Sequence, residues 1–227
     1  DEWGWDQTVA DPALYIKKDH NKELEGLGHT HVDDVMWGFL NNATKELTMN
    51  QMEAKYIITK HDQSTEVLGK ELYRTEEAIY LNNKKYINKL LKDFGLEDCN
   101  TVGTPAMGGR YDPEQLKKQD QETRLKNANL PYATLVGGLM WIAQNSRPDI
   151  TYATNRLTPF FNEWDEDLWT QAKRILRYAK GSQDYGIKYT RKIDKEPGLK
   201  LEAYVDASHA DDPIKSRSTF GWMVFLR

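Results

Sequence analysis

The densest group of chemically active side chains lies in the six residues His-Thr-His-Val-Asp-Asp that begin at His29. If this segment is extended, His29, His31 and Asp33 share one face, and Asp34 begins the turn before an apolar run. Adjacent carboxylates repel each other, and a divalent cation relieves that repulsion. Hard oxygen ligands suit Mg²⁺ or Mn²⁺, which serve phosphoryl transfer by two metal ions. The segment therefore predicts a metal site, with an ordinary Asp-Asp turn as the structural alternative.

The same segment also fits a zinc site. His-x-His-x-Asp is a zinc-binding pattern, and it resembles the His-x-His-x-Asp-His box of metallo-β-lactamase-fold hydrolases. Asp34 stands where that box has its last histidine, and the two later histidines lack a matching context. A zinc hydrolase that uses His29, His31 and Asp33 is therefore the alternative enzyme class.

Two stretches concentrate cations in a chain with a formal net charge of -4. The stretch 82–92 has only lysines as charged residues, and a second cluster begins at Lys173. Lys173, Arg177 and Lys180 would lie on one helical stripe, which suits a phosphate backbone. The residues expected to bind nucleic acid are Lys84, Lys85, Lys89, Lys173, Arg174, Arg177 and Lys180. The alternative for each patch is a solvated helix face.

Hydrophobic periodicity predicts the elements that position these groups. Strands are expected at 13–16, 35–39, 67–72, 78–81 and 199–206, the last half-buried because apolar and polar residues alternate. Helices are expected over 87–94, 132–143 and 168–179, with a break at Arg147-Pro148-Asp149. The Gly- and Pro-containing stretch 100–130 predicts a long surface connection. The pattern predicts an α+β fold.

Composition limits the classes of protein. The chain has 227 residues, and its hydrophobic fraction of 39% is typical of a globular protein. A mean hydropathy of -0.77, with no apolar run of about 18 residues, predicts no membrane-spanning helix and no membrane partner. The single cysteine, Cys99, excludes an internal disulfide and favours a reducing compartment. The absence of a basic-then-apolar leader after Asp1 predicts that the protein is not secreted.

The order of motifs resembles the C-terminal half of a copia-type long-terminal-repeat retrotransposon polyprotein. Val32-Asp33-Asp34 resembles the Tyr-Val-Asp-Asp box of the reverse transcriptase palm, and 67–72 is similar to the primer-grip strand. The other matches, in the family's order, are Trp3-Gly4, Asp11 to Tyr15, Lys85 to Gly95, Thr104-Pro105, Gly138 to Trp141, Arg147 to Ile150, Ala172 to Gly181, Tyr204 to Ala207 and Arg217 to Thr219. The resemblance covers nearly the whole chain.

The resemblance implies three domains. Residues 1–100 would hold the C-terminal part of the palm, the primer grip (Leu68 and Gly69) and the first thumb helix. Residues 101–197 would form a helical thumb and connection, and 198–227 the truncated start of a ribonuclease H-like domain. Asp33 and Asp34 would be catalytic ligands of Mg²⁺ or Mn²⁺ in the polymerase, and Asp206 would be the first metal ligand of ribonuclease H.

The implied activity is RNA-directed DNA polymerisation, a nucleotidyl transfer. Its partners would be an RNA/DNA primer–template duplex, deoxynucleoside triphosphates and other parts of the same polyprotein, in a cytoplasmic virus-like particle or the nucleus. His31 stands where the family has an aromatic residue, and Ser208-His209 replace Asp-Trp. The upstream palm aspartate lies outside these residues, so the fragment is expected to be inactive alone. The alternative is a degenerate nucleic-acid-binding remnant without catalysis.

Overall fold

The computed structural model describes residues 3–61, 64–108, 111–190, 200–210, 212 and 216–226. The chain forms two compact units, residues 1–62 and 63–227. This division falls inside the first of the three expected domains, and the expected boundary at 197/198 lies outside the described residues. Both units contain helix and strand, which confirms the α+β class. Within the described ranges, no helix has the length and apolar character needed to cross a membrane.

The first unit is an antiparallel sheet followed by a helix. Its strands pair in chain order: β1 (Trp5–Gln7), β2 (Leu14–Lys18), β3 (Leu24–His31) and β4 (Asp34–Phe39). Helix α1 (Asn42–Lys55) begins after Asn41, whose side chain accepts a hydrogen bond from the Thr44 backbone N–H at 2.8 Å. The strands predicted at 13–16 and 35–39 correspond to β2 and β4, but β1, β3 and α1 were not predicted. The buried positions of α1 are Thr44 and Thr48, so the helix lacks an apolar period.

Tryptophan rings lie directly on β3, on one face of this sheet. The ring centroids of Trp5 and Trp37 are 4.8 Å apart. A Cβ at Gly28 would overlap the Trp37 ring, and a Cβ at Gly26 would stand 2.8 Å from the Trp5 ring. The two glycines therefore leave room for aromatic side chains of β1 and β4 to cover β3.

The second unit contains a four-stranded antiparallel sheet. Its order is β5 (Glu66–Val67), β6 (Lys70–Arg74), β7 (Ala78–Asn82) and β8 (Ile187–Thr190). The strand predicted at 67–72 is a hairpin instead, because Leu68 and Gly69 form a two-residue turn between β5 and β6. Their φ angles are 49° and 72°. A two-residue hairpin turn of this kind requires positive φ values, which glycine adopts freely and leucine does not.

Helices pack beside this sheet. Their bounds are α2 (Lys84–Asp93), α3 (Glu114–Lys117), α4 (Gln121–Ala128), α5 (Tyr132–Asn145), α6 (Thr151–Asn155) and α7 (Glu166–Gly181). The core lies between α2, α5 and α7, where Ile87, Leu139 and Ile175 are buried. The helices predicted at 87–94, 132–143 and 168–179 are confirmed. The stretch 100–130 is not only a connection, because the short polar helices α3 and α4 lie within it.

The last two strands form a ribbon. Strands β9 (Leu201–Ser208) and β10 (Thr219–Leu226) pair with each other in antiparallel register, with Val205 opposite Trp222. In the described part of the chain, no third strand pairs with either of them. The strand predicted at 199–206 is confirmed, but the expectation that it is half-buried is wrong. Val205 is 73% exposed and Trp222 is 69% exposed.

Candidate nucleic-acid interface and metal ligands

The two adjacent carboxylates lie at the tip of the β3–β4 hairpin. His31 pairs with Asp34, so the two-residue turn is Val32-Asp33, and Asp34 begins β4 rather than the turn. Both carboxylates are exposed. Val32 has a φ of 55°, a left-handed value that costs a β-branched residue free energy. The hairpin thus presents Asp33 and Asp34 to solvent beside a strained residue.

The donor set at this tip matches Mg²⁺ better than Zn²⁺. Two exposed carboxylates are a ligand set that Mg²⁺ accepts, because the ion keeps several waters and takes one or two protein oxygens. Structural and catalytic zinc sites need three or four protein ligands. Among the described residues, no three His, Cys, Asp or Glu side chains lie together in a way that holds a metal ion. The zinc site of His29, His31 and Asp33 is therefore not formed.

Asp206 lies on β9, opposite Gly221 of β10. Its side chain is exposed, and one carboxylate oxygen accepts a hydrogen bond from the Ala207 backbone N–H at 2.9 Å. Among the described residues, it belongs to no group of three or more His, Cys, Asp or Glu side chains that could hold a metal ion. Asp206 therefore lies as an isolated candidate ligand on an exposed strand, among the residues that the structure describes.

The Leu68-Gly69 turn lies against the helical core. The Trp141 ring stands 3.4 Å from the position that a Cβ of Gly69 would occupy. The Gly69 carbonyl accepts a hydrogen bond from the buried Asn83 side chain at 3.4 Å, and Ser146 donates to the same asparagine. The turn is therefore held from both the α2 and the α5 side.

The cations of α2 begin beside that same hairpin. The Lys85 backbone N–H donates to the Glu71 carboxylate at 2.9 Å, and its ammonium group lies 2.6 Å from Glu66. Hydrogen bonding to Glu66, together with its charge, raises the pKa of Lys85. The structure thus places Lys85 directly on the two strands that carry the Leu68-Gly69 turn.

Two further α2 cations, Lys84 and Lys89, are also paired. Asp184 raises the pKa of Lys84 through a hydrogen bond and its charge, and Asp93 does the same for Lys89. These pairs are exposed, and exposed pairs contribute little to stability because water and salt screen them. A phosphate can therefore take the place of either carboxylate at little cost.

The cations of α7 are engaged differently. Three of them hold the preceding segment 97–104 on the helix. Arg177 donates to the Asn100 carbonyl at 2.7 Å, and Arg174 donates to the Thr104 hydroxyl at 2.9 Å. Lys180 donates to the carbonyls of Glu97 and Cys99. The ammonium group of Lys173 lies 5.5 Å from the centroid of the Trp169 ring.

Asn83, Glu66 and Glu71 organise this surface, and sequence reasoning missed all three. Asn82-Asn83 before Lys84 indicates a helix start, but the Asn83 side chain makes no cap hydrogen bond, so this pattern did not reveal its contact with Gly69. The two glutamates become visible as partners of Lys85 only when the β5–β6 hairpin is known, since their spacing along the chain carries no pattern.

No protein-family model matches the chain, and no solved structure matches it. Curated relatives do. The retrovirus-related Pol polyprotein from transposon RE2 of Arabidopsis thaliana is 27% identical over 98% of the chain, and that from transposon RE1 of the same plant is 29% identical over 98%. The Pol polyprotein from transposon TNT 1-94 of Nicotiana tabacum is 25% identical over 96% of the chain. The chain spans 14%, 14% and 16% of these polyproteins. This chain is thus homologous, over nearly its whole length, to the Pol polyproteins of copia-type retrotransposons.

Proposed function

We propose that the chain is the C-terminal part of a retrotransposon reverse transcriptase that runs into the start of a ribonuclease H-like domain. The parent activity is RNA-directed DNA polymerisation on a primer–template duplex, with deoxynucleoside triphosphates as substrates. Its similarity to Pol polyproteins supports this assignment. The observation that carries it is that Lys85 and Asn83 fix the α2 cations beside the Leu68-Gly69 turn.

In this proposal the α2 lysines bind the phosphates of the duplex, and the Leu68-Gly69 turn lies against the primer strand. Lys173 adds a further cation on α7. Arg174, Arg177 and Lys180 act indirectly, because they hold the 97–104 segment in place. Contacts of this kind are independent of sequence, since phosphates carry no base information.

Asp33 and Asp34 would hold Mg²⁺ or Mn²⁺ at the primer terminus. When bound, the metal would activate the primer hydroxyl and stabilise the pyrophosphate that leaves. The hairpin contributes two carboxylates at its tip, and the described residues supply no third ligand. This stretch alone therefore does not polymerise in our proposal, and it acts with other parts of the polyprotein in a virus-like particle or the nucleus. Asp206 would serve ribonuclease H under the same condition.

The test of nucleic-acid binding uses the α2 lysines. Replacing Lys84, Lys85 and Lys89 together by glutamine should weaken binding of an RNA–DNA hybrid. It should also flatten the slope of log affinity against log salt by about 0.9 for each phosphate that is no longer bound. The matched control replaces Lys117, Lys118 and Lys126 by glutamine, and these three lysines lie on or beside α3 and α4. Circular dichroism checks that both variants fold.

Two results would contradict the proposal. Equal weakening in the two triple variants would show that only bulk charge matters, and no binding of the hybrid by the folded chain at low salt would leave the lysines as a solvated face. A catalytic test needs the whole polyprotein, where Asp33→Asn should abolish primer extension. Full extension by that variant would exclude Asp33 from the catalytic site.

A further inference from the structure

Two tyrosines and a lysine form a row across the second sheet. Tyr73 of β6 pairs with Tyr80 of β7, and Tyr80 pairs with Lys188 of β8. The tyrosine ring centroids are 6.1 Å apart, and the Lys188 ammonium group lies 5.6 Å from the Tyr80 ring centroid. Tyr73 is 63% exposed. We call these three residues the tyrosine–lysine row.

The row is continuous with the proposed phosphate-binding surface. Residues two apart on a strand share a face, so Glu71 lies on the same side of the sheet as Tyr73. Glu71 accepts hydrogen bonds from the Lys85 backbone N–H, so this face of the sheet leads directly to the first turn of α2. A nucleic-acid strand that binds the α2 lysines therefore meets the row about 7 Å further along the sheet.

We propose that the tyrosine–lysine row stacks unpaired nucleobases of a nucleic-acid strand, and that Lys188 binds the adjoining phosphate. This inference rests on the proposed nucleic-acid binding and adds to it a site for single-stranded segments. Exposed aromatic rings on a sheet stack bases without sequence preference, because every base has a π-face. A cation beside the ring supplies the charge complement of a polyanion.

The opposite face of the sheet provides a control. Tyr189 of β8 pairs with Ile79, so it points away from the row, and it is 54% exposed. Tyr189 is about as exposed as Tyr73 and belongs to the same sheet, but it lies on the opposite face. Its replacement by alanine reports the effect of losing an exposed ring in general.

The experiment compares two ligands that differ only in their bases. One is an oligothymidylate of about twelve nucleotides, within the range that single-strand binding sites cover. The other is an abasic deoxyribose-phosphate strand of the same length, which keeps the charge. The wild-type chain should bind the oligothymidylate more tightly. Tyr73→Ala and Tyr80→Ala should each weaken that binding about ten-fold and leave abasic binding unchanged. Tyr73→Phe, Tyr80→Phe and Tyr189→Ala should stay within about two-fold of wild type.

Each other outcome overturns the proposal. Equal wild-type affinity for the two strands would exclude stacking while leaving the phosphate contacts of α2 intact. Equal weakening in Tyr73→Ala and Tyr189→Ala would assign the effect to general surface change. If neither strand binds and the RNA–DNA hybrid does, the row fails and the proposed function stands. If no nucleic acid binds, both fail together.

Discussion

Arg147 binds Asp149 through two parallel hydrogen bonds, Nε to Oδ1 at 2.9 Å and Nη2 to Oδ2 at 2.8 Å, with 0% of the arginine exposed. The same guanidinium donates to the Ser182 carbonyl at 2.9 Å. It lies 5.5 Å from the ring centroids of both Tyr178 and Tyr185. One buried cation therefore joins the start of α6 to the end of α7.

Arg147→Ala should destabilise the second unit by about 1.5–3 kcal/mol, the usual contribution of a hydrogen bond to a charged group, because the guanidinium is buried while the Asp149 side chain is 33% exposed. The substitution would leave the Ser182 carbonyl and the Asp149 carboxylate without their cation. Urea unfolding followed by tryptophan fluorescence measures the change in the free energy of unfolding. A change of less than about 1 kcal/mol would mean that the pair contributes no more than an exposed one.

Asp149 should make stability depend on pH in the acid range. Burial raises the pKa of its carboxyl, but hydrogen bonds and charge from Arg147, with a hydrogen bond from Tyr178, outweigh burial and hold the pKa below its usual value. The contribution is therefore complete above the unfolded pKa of about 4 and is lost as the pH falls through the lower folded pKa. Urea midpoints between about pH 2 and 6 should fall less steeply for Asp149→Asn than for Asp98→Asn, a control at an exposed carboxylate. If the urea midpoints of the two variants fall equally steeply with decreasing pH, the assignment is contradicted.

Gly28→Ala should destabilise the first unit, because its Cβ would overlap the Trp37 ring. Overpacking of this kind costs about 1–3 kcal/mol. Gly38→Ala is the matched control, since it lies on the adjacent strand and its Cβ would meet nothing within 4 Å. Thermal unfolding of both variants measures the difference, and equal stabilities would show that the Trp37 ring moves freely.

Lys180→Ala should release the 97–104 segment and expose Cys99, the single thiol of the chain. The ammonium group donates to the Cys99 backbone carbonyl at 2.8 Å and also to the Glu97 backbone carbonyl. Losing these charged hydrogen bonds favours local opening, so the rate of thiol labelling by a disulfide reagent should rise about ten-fold. Lys118→Ala, an exposed lysine beside α3, should leave the rate unchanged. An unchanged rate in Lys180→Ala would mean that Arg174 and Arg177 hold the segment without it.

The metal preference of the β3–β4 hairpin can be measured directly. The chain should bind Mn²⁺ weakly, as detected by electron paramagnetic resonance, and Asp33→Asn should abolish that binding while His29→Ala spares it. Both changes lie at exposed or partly exposed positions of the hairpin, so folding should survive. Stoichiometric Zn²⁺ that is lost in His29→Ala would instead restore the zinc interpretation.

Periodic apolar stretches were predictable, and departures from periodicity were not. Helix α2 follows from Ile87, Leu90 and Leu91, which recur at helical spacing and are all buried. Helix α1 buries threonines, so nothing apolar marks its face. The Leu68-Gly69 turn could not be predicted, because leucine rarely adopts the positive φ that Leu68 has here.

The candidate site divides in the same way. The cations of α2 and α7 could be found from charge alone, since lysine and arginine runs are visible in the sequence. Their partners could not, because Glu66 meets Lys85 and Asn100 meets Arg177 only through the tertiary fold. The role of Arg147 depends on its burial, and burial of an arginine cannot be predicted from an apolar sequence pattern.

The β9–β10 ribbon has a practical consequence for handling the protein. An exposed pair of strands with apolar side chains, to which no further strand pairs in the described ranges, is a template for edge-to-edge association and for aggregation. Phe220 and Trp222 lie exposed along β10, so the chain should aggregate as its concentration rises. Colloidal stability, rather than folding, then sets the concentration at which any of these measurements can be made.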